Sequence, residues 1–106
     1  MITADRAREI SDNSAVVKDT NKEAEKTLEY ISNRIETIAN NGDSEYNITI
    51  YDDAYALLNP ENAEKKNGLV VNGNMLRKIV IETLKQNGFY VESMIDNGKP
   101  VLVIKW

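Results

Sequence analysis

The fold is decided by Asn87-Gly88-Phe89-Tyr90-Val91-Glu92-Ser93-Met94-Ile95-Asp96-Asn97-Gly98-Lys99-Pro100-Val101-Leu102-Val103-Ile104-Lys105-Trp106. Asn87-Gly88 reads as a helix stop, because Gly tolerates the left-handed backbone that ends a helix. Residues 89–95 and 100–106 are rich in β-branched and aromatic side chains. Asp96-Asn97-Gly98-Lys99 between them carries the Asn-Gly pair favoured in tight turns, so this stretch predicts a β-hairpin. The last strand is apolar on both faces at Val101, Leu102, Val103 and Ile104. Such a strand is expected at the centre of a sheet, or covered on its second face.

Working outward, Met75, Leu76, Ile79, Val80, Thr83 and Leu84 recur at helical spacing. They predict a helix over 74–87, opened by Asn72-Gly73-Asn74. Upstream, Tyr46, Ile48 and Ile50 alternate with Asn47, Thr49 and Tyr51, which predicts a strand. Asp52-Asp53 are expected to cap a short helix over 54–58. Asn59 as N-cap with Pro60 in the first helical position suggests another start. Residues 62–66 would then be a short polar helix or loop, and Leu69-Val70-Val71 is too short to assign.

The first forty residues carry a seam at steps of three and four: Ala7, Ile10, Ser14, Val17, Asn21, Ala24, Leu28, Ile31, Ile35 and Ile38. This is a heptad series, and a continuous helix from Thr3 to Asn40 would be about 55 Å long. Part of it is expected to project or to pair with another chain. Ser11-Asp12-Asn13-Ser14 offers the backbone competing hydrogen bonds, so two helices over 3–12 and 14–40 are the alternative. Val17, Asn21, Leu28, Ile31, Ile35 and Ile38 are the oligomerisation candidates; Asn21 either sets register in a helical oligomer or lies on a stretch that is simply exposed to solvent. Leu28, Ile31, Ile35 and Ile38 are also expected to dock on the free face of the sheet.

The resulting class is α+β, in the order α-β-(α)-α-β-β. A long N-terminal helix (1–41) precedes a small module (43–106) in which a three-stranded, mainly antiparallel sheet packs against a helix; 1–106 form one domain. A module below about 70 residues rarely stabilises itself by core burial alone. Hence the need for the long helix, or for a second subunit.

Composition narrows the chemistry. The 106 residues include no Cys and no His. Thiol nucleophiles, Ser-His-Asp relays, thiolate or imidazole metal sites and disulfides are therefore out. Lys plus Arg is 13 against 17 Asp plus Glu, a formal charge of 13 − 17 = −4. That balance opposes non-specific binding to nucleic acid. No apolar run suggests a membrane span or a signal peptide, so a soluble protein of the cytoplasm is expected. No catalytic residue, cofactor or metal site is indicated.

Four places have chemical potential. Asn72-Gly73-Asn74 opens a helix whose free amides and positive dipole end suit an anion, with Arg77 and Lys78 nearby. The alternative is an ordinary cap beside an exposed basic face. Tyr51, Tyr55, Phe89, Tyr90 and Trp106 offer stacking surfaces, or simply core and rim. Asp52-Asp53 with Glu45 pair carboxylates but read more simply as caps. Arg6-Ala7-Arg8 places cations against the helix dipole, which an acidic partner would offset.

Two motifs resemble a known group. Ile2-Thr3-Ala4-Asp5-Arg6-Ala7-Arg8-Glu9-Ile10 resembles the T-A-x-x-A-R-x-I first helix of many small phage-encoded accessory proteins. The ending, Asn87-Gly88-Phe89-Tyr90-Val91 through Ile104-Lys105-Trp106, is similar to theirs. The resemblance implies a viral origin and an accessory role; some such proteins inhibit host defence, either by sequestering nucleotide signals or by binding a host protein. The leading expectation is therefore a non-enzymatic homo-oligomer in the host cytoplasm that acts as a sponge for a nucleotide-like immune signal. Tyr51, Tyr55 and Trp106 would stack on the base, and Gly73, Asn74, Arg77 and Lys78 would meet phosphate. The alternatives are an acidic inhibitor of a host defence protein, and a virion or assembly component that oligomerises through its first helix.

Overall fold

In the computed structural model, which describes residues 1–58, 65–66 and 69–106, the helical seam breaks where the backbone meets competing side chains. Helix α1 spans Ala4–Asp12 and helix α2 spans Ala15–Asn40. Of the two arrangements the seam allowed, the chain adopts the two-helix one, and the single continuous helix is not formed. Asn13 turns its side-chain amide onto the Glu9 carbonyl at 2.9 Å, and Ser14 Oγ accepts from the Val17 N–H at 3.1 Å. One residue closes the first helix and the next opens the second. Thr3 caps α1 in the same way, accepting from Arg6 N–H at 3.2 Å. Pairs of Arg6 with Glu9 and Arg8 with Asp5 lie on its surface.

After α2 the chain runs through strand β1 (Glu45–Ile48), a 3-10 turn (Tyr55–Leu57), and two-residue strands β2 (Lys65–Lys66) and β3 (Leu69–Val70). Helix α3 (Gly73–Gln86) and the hairpin β4 (Tyr90–Asp96) and β5 (Lys99–Lys105) follow. β2 replaces the helix or loop expected at its two residues, while the Asn59-Pro60 start lies outside the described residues. The expected strand over 46–51 ends at Ile48, so Ile50 leaves its shared face and is exposed.

Both long helices of the body stop by one mechanism. Gly42 adopts φ 87°, with Gly42 N–H on Ala39 O and Asp43 N–H on Ile38 O. Gly88 adopts φ 90°, with Gly88 N–H on Lys85 O and Phe89 N–H on Leu84 O. These are Schellman closures, in which the left-handed residue lets two orphan carbonyls be satisfied.

The sheet order is β1-β5-β4, all antiparallel. The doubly apolar strand β5 is central, as its composition predicts. Asn97 (φ 51°) and Gly98 (φ 77°) form the two-residue turn that joins it to β4, the left-handed pair of a type I′ hairpin. Tyr46, Ile48, Leu102, Ile104 and Val91 face inward. They share one core with Ala24 and Ile31 of α2 and Leu76, Val80 and Leu84 of α3. The two helices thus lie side by side on the same face of the sheet. The expectation that α2 would take the opposite face is corrected: α3 and α2 together cover the inner face, and no described helix or strand packs on the outer one.

Within α2, Ile31 is fully buried, and Leu28, Ile35 and Ile38 pack against the same core. These seam residues are consumed inside one chain. Val17 is half-buried and Asn21 is exposed. No residue of α1 is buried. The radius of gyration, 15.5 Å, exceeds the ~13 Å of a compact chain of this length. The principal extents, 55 × 29 × 23 Å, describe a body drawn out along one axis. Removing residues 1–12 is expected to leave the urea midpoint unchanged. Ile31→Ala should cost about 2–5 kcal/mol by leaving a cavity under both layers. Circular dichroism during urea titration distinguishes the two.

Candidate functional site

The polar groups of the interior are arranged as braces. Asp52, just past β1, accepts from Tyr46 Oη at 2.7 Å, Tyr30 Oη at 3.1 Å and Ala54 N–H at 2.9 Å. One carboxylate thereby ties α2, β1 and the 3-10 turn together. Burial, reinforced by the Asp52 carboxylate, holds the Tyr46 phenol far above its ordinary value of 10. Burial also raises Tyr30, with Asp52 adding and the hydrogen bond to Tyr46 opposing. These phenols keep their protons at neutral pH, which suits a structural clamp rather than proton transfer. Arg34 stands 5.6 Å from the centre of the Tyr46 ring.

The start of α3 is closed in a similar manner. Asn72 Oδ1 accepts from Met75 N–H at 3.0 Å, and Asn72 N–H donates to Thr20 Oγ1 of α2 at 3.0 Å. Thr20 is fully buried and itself donates to Val16 O. Gly73 is buried and Asn74 exposed. Arg77 reaches away from this end: Nε donates to Leu57 O at 2.9 Å and a terminal nitrogen donates to Ser93 Oγ at 2.6 Å. Its guanidinium links the 3-10 turn, α3 and β4. Lys78 remains exposed.

The expected aromatic set is not brought together. Tyr51, 82% exposed, lies under Lys99, whose Nζ is 5.5 Å from the ring centre and 3.3 Å from the hydroxyl. Trp106 meets Phe89 edge to face, with ring centres 6.2 Å apart. Lys99 begins β5 and Trp106 follows its end, so strand length alone separates Tyr51 from Trp106 by about 20 Å. Tyr55 is on the 3-10 turn and 45% exposed. The seven proposed ligand residues therefore occupy at least three separate places on one chain.

What the structure does assemble is the outer face of the sheet. Register places Met94 opposite Val101, Val103 between Asn47 and Glu92, and Lys105 between Glu45 and Tyr90. A shallow groove runs between Glu45, Asn47, Met94, Val101, Val103 and Lys105. A second depression beside it is lined by Thr49, Ile50, Tyr51, Asn97 and Lys99. Val101 and Val103 form the apolar row of this face, Val101 half-buried and Val103 buried at 5% exposure between its strand neighbours, while Met94 is 47% exposed and Tyr90 57%. The rim is charged, with Lys105 3.5 Å from Glu45. Sequence reasoning did not assign this face. Its signal was the second apolar row of the last strand, Val101 and Val103, which had no helix left to cover it.

Among the described residues, no group of three or more acidic side chains is placed to hold a metal ion, and no helix is long and apolar enough to cross a membrane. Comparison with protein-family models, curated proteins and solved structures returns no match. The likeness of the two chain ends to phage proteins therefore stands as a resemblance alone.

The Asp52 clamp makes two expectations. Asp52→Ala strands two phenol hydroxyls and an amide, and should cost about 2–4 kcal/mol in urea unfolding. With folded phenols titrating above the unfolded ones, the unfolded chain releases protons first as pH rises. Stability should hold up to about pH 10 and fall above it, and the fall should be shallower in Tyr46→Phe.

Proposed function

We propose that this chain is a non-enzymatic binding protein of phage accessory type, which engages a protein partner through the open face of its sheet. The observation that carries this reading is the outer face around the exposed Met94 and the half-buried Val101, on which no described helix or strand packs; Val103 beside them is shielded by its own strand neighbours. This face is bordered by Glu45, Glu92, Asp96, Lys99 and Lys105. An apolar strip with a charged rim is the usual anatomy of a protein interface. The rim is net acidic and the chain carries −4, so the partner is expected to present aliphatic side chains within a basic border. Inhibition of a host defence protein in the host cytoplasm is the role that fits best, and a virion or assembly role uses the same face.

Nucleotide sequestration is the second reading. Tyr51 under Lys99 favours it, because an exposed ring with a cation suits a base and its phosphate. Against it, Arg77 is already bound to Leu57 and Ser93, and Tyr51 and Trp106 lie far apart. A sponge would need to draw its site from several copies.

The two readings separate in one comparison. Val101→Lys combined with Asn47→Lys is expected to abolish binding of the partner that co-purifies with the wild-type chain, with circular dichroism unchanged. Lys22→Glu with Lys26→Glu on exposed positions of α2 should retain it. A nucleotide panel should give no rise in Tm. A nucleotide-dependent rise removed by Lys99→Ala would overturn the protein-directed reading in favour of sequestration.

A further inference from the structure

β4 is an edge strand of seven residues, paired with β5 on one side and with no described strand on the other. Edges of this length are normally blunted by Pro, Lys or a bulge. Tyr90-Val91-Glu92-Ser93-Met94-Ile95-Asp96 contains no Pro and no Lys, and its ladder to β5 runs without a bulge. It is also apolar where it should be wet: Ile95 is 73% exposed, Tyr90 57% and Met94 47%.

We propose that β4 pairs antiparallel with β4 of a second copy, centred on Ser93, to make a continuous six-stranded sheet. Symmetry and charge select both the occupant and the register. A two-fold axis that makes neighbouring edge strands antiparallel must stand perpendicular to the sheet, so each face continues into the same face of the partner. Residues on the outer row, Tyr90, Glu92, Met94 and Asp96, can then oppose only one another. Centring on Glu92 sets Glu92 against its own copy, and centring on Met94 sets Glu92 against Asp96. Like charges directly opposite are destabilising. Centring on Ser93 sets Glu92 against Met94 and Tyr90 against Asp96, with all seven residues paired. On the inner row it sets Val91 against Ile95, which covers the most exposed aliphatic side chain of the sheet. No other of these three registers makes that pair.

Two cationic groups approach in this arrangement, because Arg77 of each copy is held at its own Ser93. Their repulsion, and that of two chains of charge −4, is screened by salt. The dimer is therefore expected to tighten as ionic strength rises. This self-pairing is tested apart from the protein-directed reading: the face substitutions lie on β1 and β5, and the cross-links at Ser93 and at Val91 with Ile95 use the inner row of β4, off that face.

The absence of Cys makes the test clean, because a single introduced Cys has only its own copy to react with. Under mild oxidation Ser93→Cys should form a disulfide-linked dimer, whereas Glu92→Cys and Met94→Cys should not, their like residues lying beyond disulfide reach in this register. Since Ser93→Cys gives up its bond to Arg77, the double variant Val91→Cys with Ile95→Cys supplies an independent cross-link. Sedimentation of the full chain should show a dimer whose Kd rises about tenfold in Met94→Glu, opposite Glu92 of the partner, and falls in Met94→Lys. A monomer at every concentration, cross-linking fastest at Glu92→Cys or Met94→Cys, or equal effects of the two Met94 substitutions would each overturn the proposal.

Discussion

One apolar layer, between the paired helices α2 and α3 and the inner face of a three-stranded sheet, holds this chain together. Ile31 and Ala24 enter it from above on one side and Leu76, Val80 and Leu84 on the other. Tyr46, Ile48, Leu102 and Ile104 meet them from below. A sheet this narrow has just enough inner surface for two helices. Once both have docked there, nothing described is left to cover the other face. The open face and the bare β4 edge are thus consequences of how the inner face is filled.

The irregular segments are held to this layer by long-range polar contacts. Asp52 reaches Tyr30 and Tyr46, Thr20 receives Asn72, and Arg77 joins Leu57 to Ser93. Each satisfies groups that would otherwise be buried without a partner, which carries a larger penalty than the net gain of an ordinary hydrogen bond. The same contacts occupy the groups that chemistry would require. Asp52 already accepts from three donors, the phenols it holds stay protonated, and the Arg77 guanidinium is anchored.

The extent to which this was readable from the residues follows the range of the interactions. The hairpin turn at Asn97-Gly98, the stops at Gly42 and Gly88 and the caps at Thr3 and Asn72 depend on neighbours within four positions, and all stand where their residue types place them. The break at Asn13-Ser14 belongs to the same class, but there a continuous heptad seam competed with the caps. The seam prevailed in the reading and the caps in the structure, because its N-terminal half has no apolar surface to dock on. The candidate ligand residues failed to converge for a different reason. Aromatic and basic residue types mark potential, while their meeting depends on strand length and direction, and the length of β5 separates Tyr51, held against Lys99 at its start, from Trp106 beyond its end.

The sequence by itself determined the α+β class, the order of the main helices and of the three strands of the sheet, the central position of β5 and the chemistry that is out of reach without Cys or His. Those conclusions need only local backbone preference, periodicity and the inventory of functional groups. Only the tertiary structure decided which face of the sheet the long helix covers, that Arg77 and Asp52 serve as braces, and that Val101 and Val103 lie on the face where no described helix packs. These depend on pairings between residues distant along the chain, such as Arg77 with Ser93, 16 positions apart, and Tyr30 with Asp52, 22 apart. No pattern along the chain encodes such pairings, because either face of a doubly apolar strand satisfies the same periodicity until the helices have chosen one.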